Sequence, residues 1–208
     1  MDKPALRRAI LSRRAALPPQ VRERIAATAA EVLLPRVDGP VAAYLSVGTE
    51  PGTGRLLESL AGRDVLLPVL LPDGDLDWSL AGNGLQSGPY GLLEPGGPRL
   101  GREAIASCTM IVVPALAVDR AGNRLGRGGG SYDRALARTS AEVIALLHDG
   151  EAVAELPAEQ HDRPVGAFVT PHRGLVTIGA PPADVPPGTP TRGTRSPLDH
   201  RTTNGGAP

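Results

Sequence analysis

Hydrophobic and polar positions change period several times along the chain, and each change predicts an element. Over 3–16, Leu6, Ile10 and Leu17 fall on one helical face flanked by Arg7, Arg8, Arg13 and Arg14, a basic amphipathic helix that Pro18-Pro19 breaks. Residues 19–34 repeat the period, with Val21, Ile25 and Val32 inward and Arg22 and Arg24 outward. Val41–Leu45 is a short apolar strand, and 53–60 is a helix that Thr53 is placed to cap. The run 65–71 has strand length, but Pro68 is expected to end or bend it. Leu76–Leu80 alternates as an antiparallel strand does, which assigns Trp78 to packing. Residues 110–114 and 142–147 are continuous apolar strands, a helix is expected near 132–139, and 167–170 and 175–178 complete the strands. Near-continuous apolar strands alternating with helices predict a three-layer α/β/α domain with a largely parallel sheet. Ligands of such sheets bind at the carboxyl ends of the strands.

The pattern stops near residue 178. Residues 181–208 hold seven Pro and four Gly, with Val185 and Leu198 as their only large apolar side chains. Too little surface is available there to offset ordering entropy, so a domain over 1–178 and a disordered tail over 179–208 are expected.

Composition narrows the function classes. Lys and Arg total 22 against 22 Asp and Glu, so a globally basic nucleic-acid binder is not expected. Aromatics make up 2% of the chain, which nearly excludes stacking platforms for single-stranded nucleic acid. Cys108 is the only cysteine, which rules out an intramolecular disulfide; it precedes an apolar strand and reads as a small buried hydrophobe. The four histidines show no metal-ligand spacing. No apolar run approaches the roughly 20 residues needed to span a bilayer. A soluble cytoplasmic protein without a membrane partner is the expectation.

The segment carrying chemistry is Asn123–Arg134, in which four of the five residues from Gly126 to Gly130 are glycine. It follows a buried strand and opens a helix. Glycine takes the positive-φ states that let successive N–H groups converge on an anion, and a helix N-terminus adds positive potential. Arg124 and Arg127 can offer fork-shaped donors to phosphate oxygens, and Asp133 stands where a Mg²⁺ carried by phosphates needs a carboxylate. The other reading is a flexible loop with solvated arginines. No Walker Gly-Lys-Ser/Thr follows, and the spacing is not that of the dinucleotide fingerprint.

Residues 122–134, Gly-Asn-Arg-Leu-Gly-Arg-Gly-Gly-Gly-Ser-Tyr-Asp-Arg, closely resemble the signature of the 5-formyltetrahydrofolate cyclo-ligase family. Val113–Asp119, Lys3–Arg7, Tyr44–Glu50 with Thr53, Tyr90–Pro95, and Asp162–Val165 with Thr170 resemble further segments of that family in the same order, so the resemblance covers roughly 3–172. It implies a Rossmann-like fold, a monomer, ATP as co-substrate, Mg²⁺, and a reduced folate as substrate. The implied reaction converts 5-formyltetrahydrofolate to 5,10-methenyltetrahydrofolate through a phosphorylated formyl group, releasing ADP and phosphate.

Residue by residue, the resemblance assigns ATP to Lys3, Arg7, Arg124, Leu125, Gly126, Arg127, Gly128, Gly129, Gly130, Ser131 and Tyr132. It assigns the folate to Leu45, Glu50, Tyr90 and the 127–131 segment, magnesium to Asp133 and Asp162, and catalysis to Arg127 and Asp133. From the residues alone, Glu50 also reads as a loop carboxylate, Leu45 as strand core, Tyr90 as a turn tyrosine, and Lys3 with Arg7 as one solvated helical face. Ser131 stands where the family commonly has tyrosine, Val118 where it has phenylalanine, and Pro51-Gly52 where it has an apolar–acidic pair; these bear on efficiency and exact substrate. A non-catalytic phosphate-ligand or nucleotide sensor on a related α/β fold is the rival class. Two paired sets, Lys3 with Arg7 and Asp133 with Asp162, favour the enzyme.

Overall fold

The computed structural model describes residues 2–159 and 162–179. The tail expected over 179–208 lies beyond them except for Gly179. In chain order the elements are α1 (Lys3–Ala15), α2 (Pro19–Leu33), β1 (Val41–Ala42), α3 (Gly54–Ser59), β2 (Val65–Leu70), β3 (Leu76–Leu80), β4 (Leu85–Ser87), β5 (Leu93–Pro95), β6 (Met110–Pro114), β7 (Ala117–Val118), β8 (Arg124–Leu125), α4 (Ser131–Leu136), β9 (Glu142–Leu146), β10 (Ala167–Thr170) and β11 (Gly174–Thr177). Among the described residues, no helix is long and apolar enough to cross a membrane.

The main sheet has seven strands in the order β11-β10-β9-β6-β1-β2-β3. The five inner strands run parallel, while β3 and β11 are antiparallel edges. Strand alternation divides the core into two layers. On one face Met110, Val112, Ile144 and Leu146 pack with Ile25, Ala29 and Leu33 of α2 and Leu56 of α3. On the other, Ile111, Val113, Ala145 and Phe168 pack with Trp78, Ile105, Ala135 and Leu136. Each such aliphatic side chain removed from water stabilises by about 1.5–3 kcal/mol. The three-layer α/β/α expectation therefore holds, and Trp78 is a packing residue.

α1 belongs to neither layer. Asp2 caps it by accepting the Ala5 N–H at 2.8 Å. Its Ile10 packs with Leu116, Ala117, Leu125 and Leu156 at the carboxyl end of the sheet, so the basic helix lies across the end where ligands of this fold class bind.

Three local expectations change. β2 continues through Pro68, which pairs with Trp78. Hydrogen bonds from Ala81 N to Val65 O and from Leu71 N to Asp75 O put the odd-numbered β2 residues on the paired side. The donor that proline lacks thus faces the side where β1, paired only at Val65 and Leu66, has ended. Thr53 occupies the N-cap position of α3 without capping it; its hydroxyl donates to Tyr44 O at 2.7 Å and accepts from Ser46 N at 3.2 Å, closing the loop after β1. The inward stripe of α2 is Ile25, Ala26, Ala29 and Leu33, with Val21 and Val32 only half-buried.

Candidate functional site

One large cavity, ≈ 960 Å³, opens at the carboxyl ends of the parallel strands. Leu45 to Gly48 and Glu50 reach it from the loop after β1, Pro68 and Leu70 from the end of β2, and Ala115 with Leu116 from the turn after β6. Lys3, Arg7 and Arg14 of α1 form a basic wall, and residues 124–133 face it. The chain after β1 crosses to β2 on one side of the sheet, whereas the chain after β6 crosses to β9 on the other. Their loops diverge there and leave a crevice.

The glycine loop is aimed by the β7–β8 hairpin. Its turn is built on buried Asp119, whose carboxylate accepts Ala121 N, Asn123 N and Asn123 Nδ2 at 2.9 Å each, and Leu156 N at 3.0 Å. Gly128 and Gly130 have positive φ, 104° and 70°. A Cβ on Gly126 would lie 2.9 Å from the Arg124 guanidinium, and one on Gly130 2.9 Å from that of Arg134. The carbonyls of Gly126 and Gly129 accept from Arg7 at 2.9 Å and Arg134 at 3.1 Å. The N–H groups of residues 126–130 have no acceptor among the described residues. Carbonyls turned to arginines and N–H groups left free are the arrangement an anion needs.

Charges around the loop are paired across the cavity. Arg127 Nε donates to Glu50 Oε1 at 3.0 Å, and Glu50 Oε2 accepts from Val47 N at 3.0 Å. Arg124 donates to Asp133 Oδ1 at 2.9 Å and lies over the Tyr132 ring, leaving its buried Nε without a partner. Lys3 donates to Asp162 at 2.8 Å and to Glu159 at 2.9 Å. Although burial opposes its charge, these two carboxylates hold the Lys3 ammonium above the ordinary lysine range. Burial likewise pushes the Tyr44 and Tyr132 phenols upward, so neither is an acid or base near neutrality. The Cys108 thiol is buried, pushed up to about 11, and inert as a nucleophile.

Every sequence-derived site residue except Tyr90 lines this cavity. Tyr90 falls in the short 3₁₀ turn Pro89–Gly91, and its side chain is outside the described residues. Its neighbours Gly91, Leu92 and Leu93 do reach the cavity wall. Sequence reasoning missed Arg14 and Glu94, both buried and both lining the cavity. A signal for Arg14 existed: Lys3, Arg7 and Arg14 share one helical stripe.

Behind the Glu50 loop sits His148, just past β9 and buried, with Nε2 3.1 Å from Thr49 O. The carbonyl fixes the tautomer, so Nε2–H donates and Nδ1 is left without a partner. Burial is the largest influence and lowers the imidazole pKa; Arg14 and Arg22 act the same way, opposed by the Thr49 bond and Glu151. The unfolded chain therefore binds this proton more readily, and stability falls as pH drops below the ordinary value of 6.5. Chemical denaturation at pH 7.5 and pH 5.5 should show a larger acid loss for the wild type than for His148→Gln; equal losses would remove His148 as the cause.

A mostly parallel α/β/α sheet with a glycine loop of free N–H groups and a cationic helix over its carboxyl ends places this chain among α/β proteins whose crevice at the strand ends is built to take a ligand. The comparisons narrow that class. A profile of the 5-formyltetrahydrofolate cyclo-ligase family matches residues 1–171, and the chain belongs to this family of ligases. It is 43% identical over 193 residues to the 5-formyltetrahydrofolate cyclo-ligase of Mycolicibacterium smegmatis, covering 85% of this chain and 97% of that one. Identity to the Escherichia coli cyclo-ligase is 33% over 183 residues, with 79% and 97% covered. The solved 5,10-methenyltetrahydrofolate synthetase of Aquifex aeolicus superposes with a TM-score of 0.73 at 27% identity, covering 88% of this chain and 96% of that one.

Proposed function

We propose that this chain catalyses the ATP- and Mg²⁺-dependent cyclisation of 5-formyltetrahydrofolate to 5,10-methenyltetrahydrofolate. The observation that carries the reading is a single cavity joining the glycine loop, Lys3 and Arg7, Glu50, and two carboxylates, Asp133 and Asp162. The formyl oxygen attacks the γ-phosphorus of ATP, and ADP leaves. Nitrogen 10 of the folate then attacks the activated formyl carbon and loses its proton, and phosphate departs with the former formyl oxygen.

Such chemistry needs positioning and charge neutralisation more than covalent help. In this reading the free N–H groups of 126–130 and the Arg7 and Arg124 guanidiniums hold the triphosphate. Arg127, more than half exposed yet anchored to Glu50, reaches toward the transferred phosphoryl group. Glu50 accepts hydrogen bonds from the pterin ring, and Leu45, Leu70 and Leu92 supply its apolar walls.

Asp133 and Asp162 are the residues that would hold Mg²⁺. No group of three or more His, Cys, Asp or Glu side chains is arranged for a metal among the described residues. Two carboxylates on the cavity wall nonetheless fit an ion whose remaining oxygens come from phosphate and water. The ion, when bound, supplies neutralisation of the phosphate charge.

The test is an assay of the purified chain with 5-formyltetrahydrofolate and MgATP, following the near-ultraviolet absorbance of the methenyl product. ATP-dependent growth of that band is expected, and Glu50→Gln should raise KM for the folate about tenfold while leaving KM for ATP near wild type. A folded protein that binds MgATP without forming the band would move the phosphate-sensor reading ahead.

A further inference from the structure

Three buried polar side chains meet at the cavity wall and behind it, without a role in the reaction above. Arg14 is 2% exposed, Glu151 0% and His148 2%. Arg14 grips Glu151 through both carboxylate oxygens, Nε to Oε1 at 2.8 Å and Nη2 to Oε2 at 2.7 Å. Its Nη2 also donates to Ala115 O at 2.6 Å, just past the end of β6. Glu151 Oε2 accepts the backbone N–H of His148 at 2.8 Å. The His148 ring then donates to Thr49 O, one residue before Glu50.

The cluster therefore ties four pieces together: α1, the turn after β6, the turn after β9, and the loop after β1. Burying a charged pair is costly unless its geometry is good and its remaining groups are bonded. Here the pair is bidentate and each carboxylate oxygen is engaged. Lys3 and Arg7 lie on the same stripe of α1 as Arg14, so the bond to Glu151 also sets where they stand over the cavity. The Glu50 loop carries three further anchors: Arg22 donates to Gly48 O, Tyr44 Oη donates to Pro51 O at 3.0 Å, and Gly52 lies so near the α2 backbone that a Cβ would approach Arg22 O to 2.7 Å. Among the described residues, the hydrogen-bonded path from that loop to the charged pair runs through His148.

We propose that the Arg14–Glu151–His148 cluster is a positioning element that holds the Glu50 loop at a fixed distance from the basic helix and the glycine loop, with His148 setting affinity for the folate. The choice of ligand rests on the function proposed above, whereas the geometry does not. His148 touches no substrate in this scheme; it acts through the Thr49 carbonyl.

The test uses the full chain with His148→Leu, which removes the donor, and His148→Gln, which restores an N–H of similar reach. Two readouts are taken: steady-state kinetics in each substrate, and amide hydrogen exchange resolved to peptides covering 44–53. For His148→Leu, KM for 5-formyltetrahydrofolate is expected to rise roughly three- to tenfold, the effect of one lost hydrogen bond. KM for ATP and kcat should stay within about twofold, and exchange should quicken in 44–53 with β6 and β9 unchanged. His148→Gln should return KM and exchange toward wild type. Unchanged KM and exchange in His148→Leu would overturn the proposal. So would equal rises in both KM values with faster exchange everywhere, which marks plain destabilisation, or a glutamine variant no better than leucine. If His148→Leu does not fold, His148→Asn, polar but too short to reach Thr49, takes its place under the same criteria. A wild type lacking turnover defeats the proposed function, and the exchange pattern then decides the positioning role by itself.

Discussion

Arg127→Ala is expected to lower kcat by at least about 10²-fold, the scale seen when one donor to a developing charge is removed, while the unfolding midpoint stays within about 4 °C of wild type. The two halves of that expectation come from one geometry. Arg127 is 56% exposed and, among the described residues, hydrogen-bonds to Glu50, so the core does not depend on it. Glu50 is itself buried, but its other oxygen keeps the Val47 N–H, and a pair with one partner this exposed contributes about 1 kcal/mol to stability. Its position between the free N–H groups and the folate-side acid is where charge passes from ATP to the formyl oxygen in the proposed reaction. Lysine at 127 should recover little, because a point charge lacks the planar fork that grips phosphate oxygens. Stopped assays with both variants, paired with thermal melts, read the two halves separately. Near-normal kcat in Arg127→Ala would remove this residue from the reaction.

Glu151→Ala is expected to have the opposite profile, with a loss of about 3–5 kcal/mol of folding stability. Arg14 would remain buried with its charge uncompensated, and the His148 N–H would lose its acceptor. For a domain this size that loss corresponds to roughly 6–20 °C in the unfolding midpoint and is a large share of an ordinary 5–15 kcal/mol. Replacing Arg14 by Met and Glu151 by Leu together should cost much less than the single change, since no charge is then stranded. Denaturant titrations of Arg14→Met, Glu151→Leu and the double variant form a cycle that measures the coupling. Additive losses would mean that the pair is not the source of the effect.

The architecture was legible wherever apolar runs had a clear period. Met110–Pro114 and Glu142–Leu146 read as buried strands because both faces of an inner parallel strand are covered. α1 and α2 read as helices because each buries one stripe. Pro68 misled because local propensity says nothing about which side of a strand is unpaired; that depends on β1 ending early. Thr53 misled because its hydroxyl had a nearer acceptor in Tyr44 O than any α3 amide. The small hairpin β4–β5 went unseen, its strands being three residues long with little alternation.

The site divides in the same way. Gly126–Gly130, Arg124, Arg127 and Asp133 lie within ten residues, so their place on one cavity wall could be read from spacing, and that of Lys3 with Arg7 from one turn of helix. Residue type and local period thus determined the α/β class, the family resemblance and the glycine loop. Only the tertiary structure decided that Lys3 meets Asp162, that Arg127 meets Glu50, and that Arg14, Glu151 and His148 form a buried cluster. Those partners lie 159, 77 and 137 positions apart, and no local period encodes such separations. They meet because the parallel strands end side by side and α1 crosses over those ends, which is a property of packing.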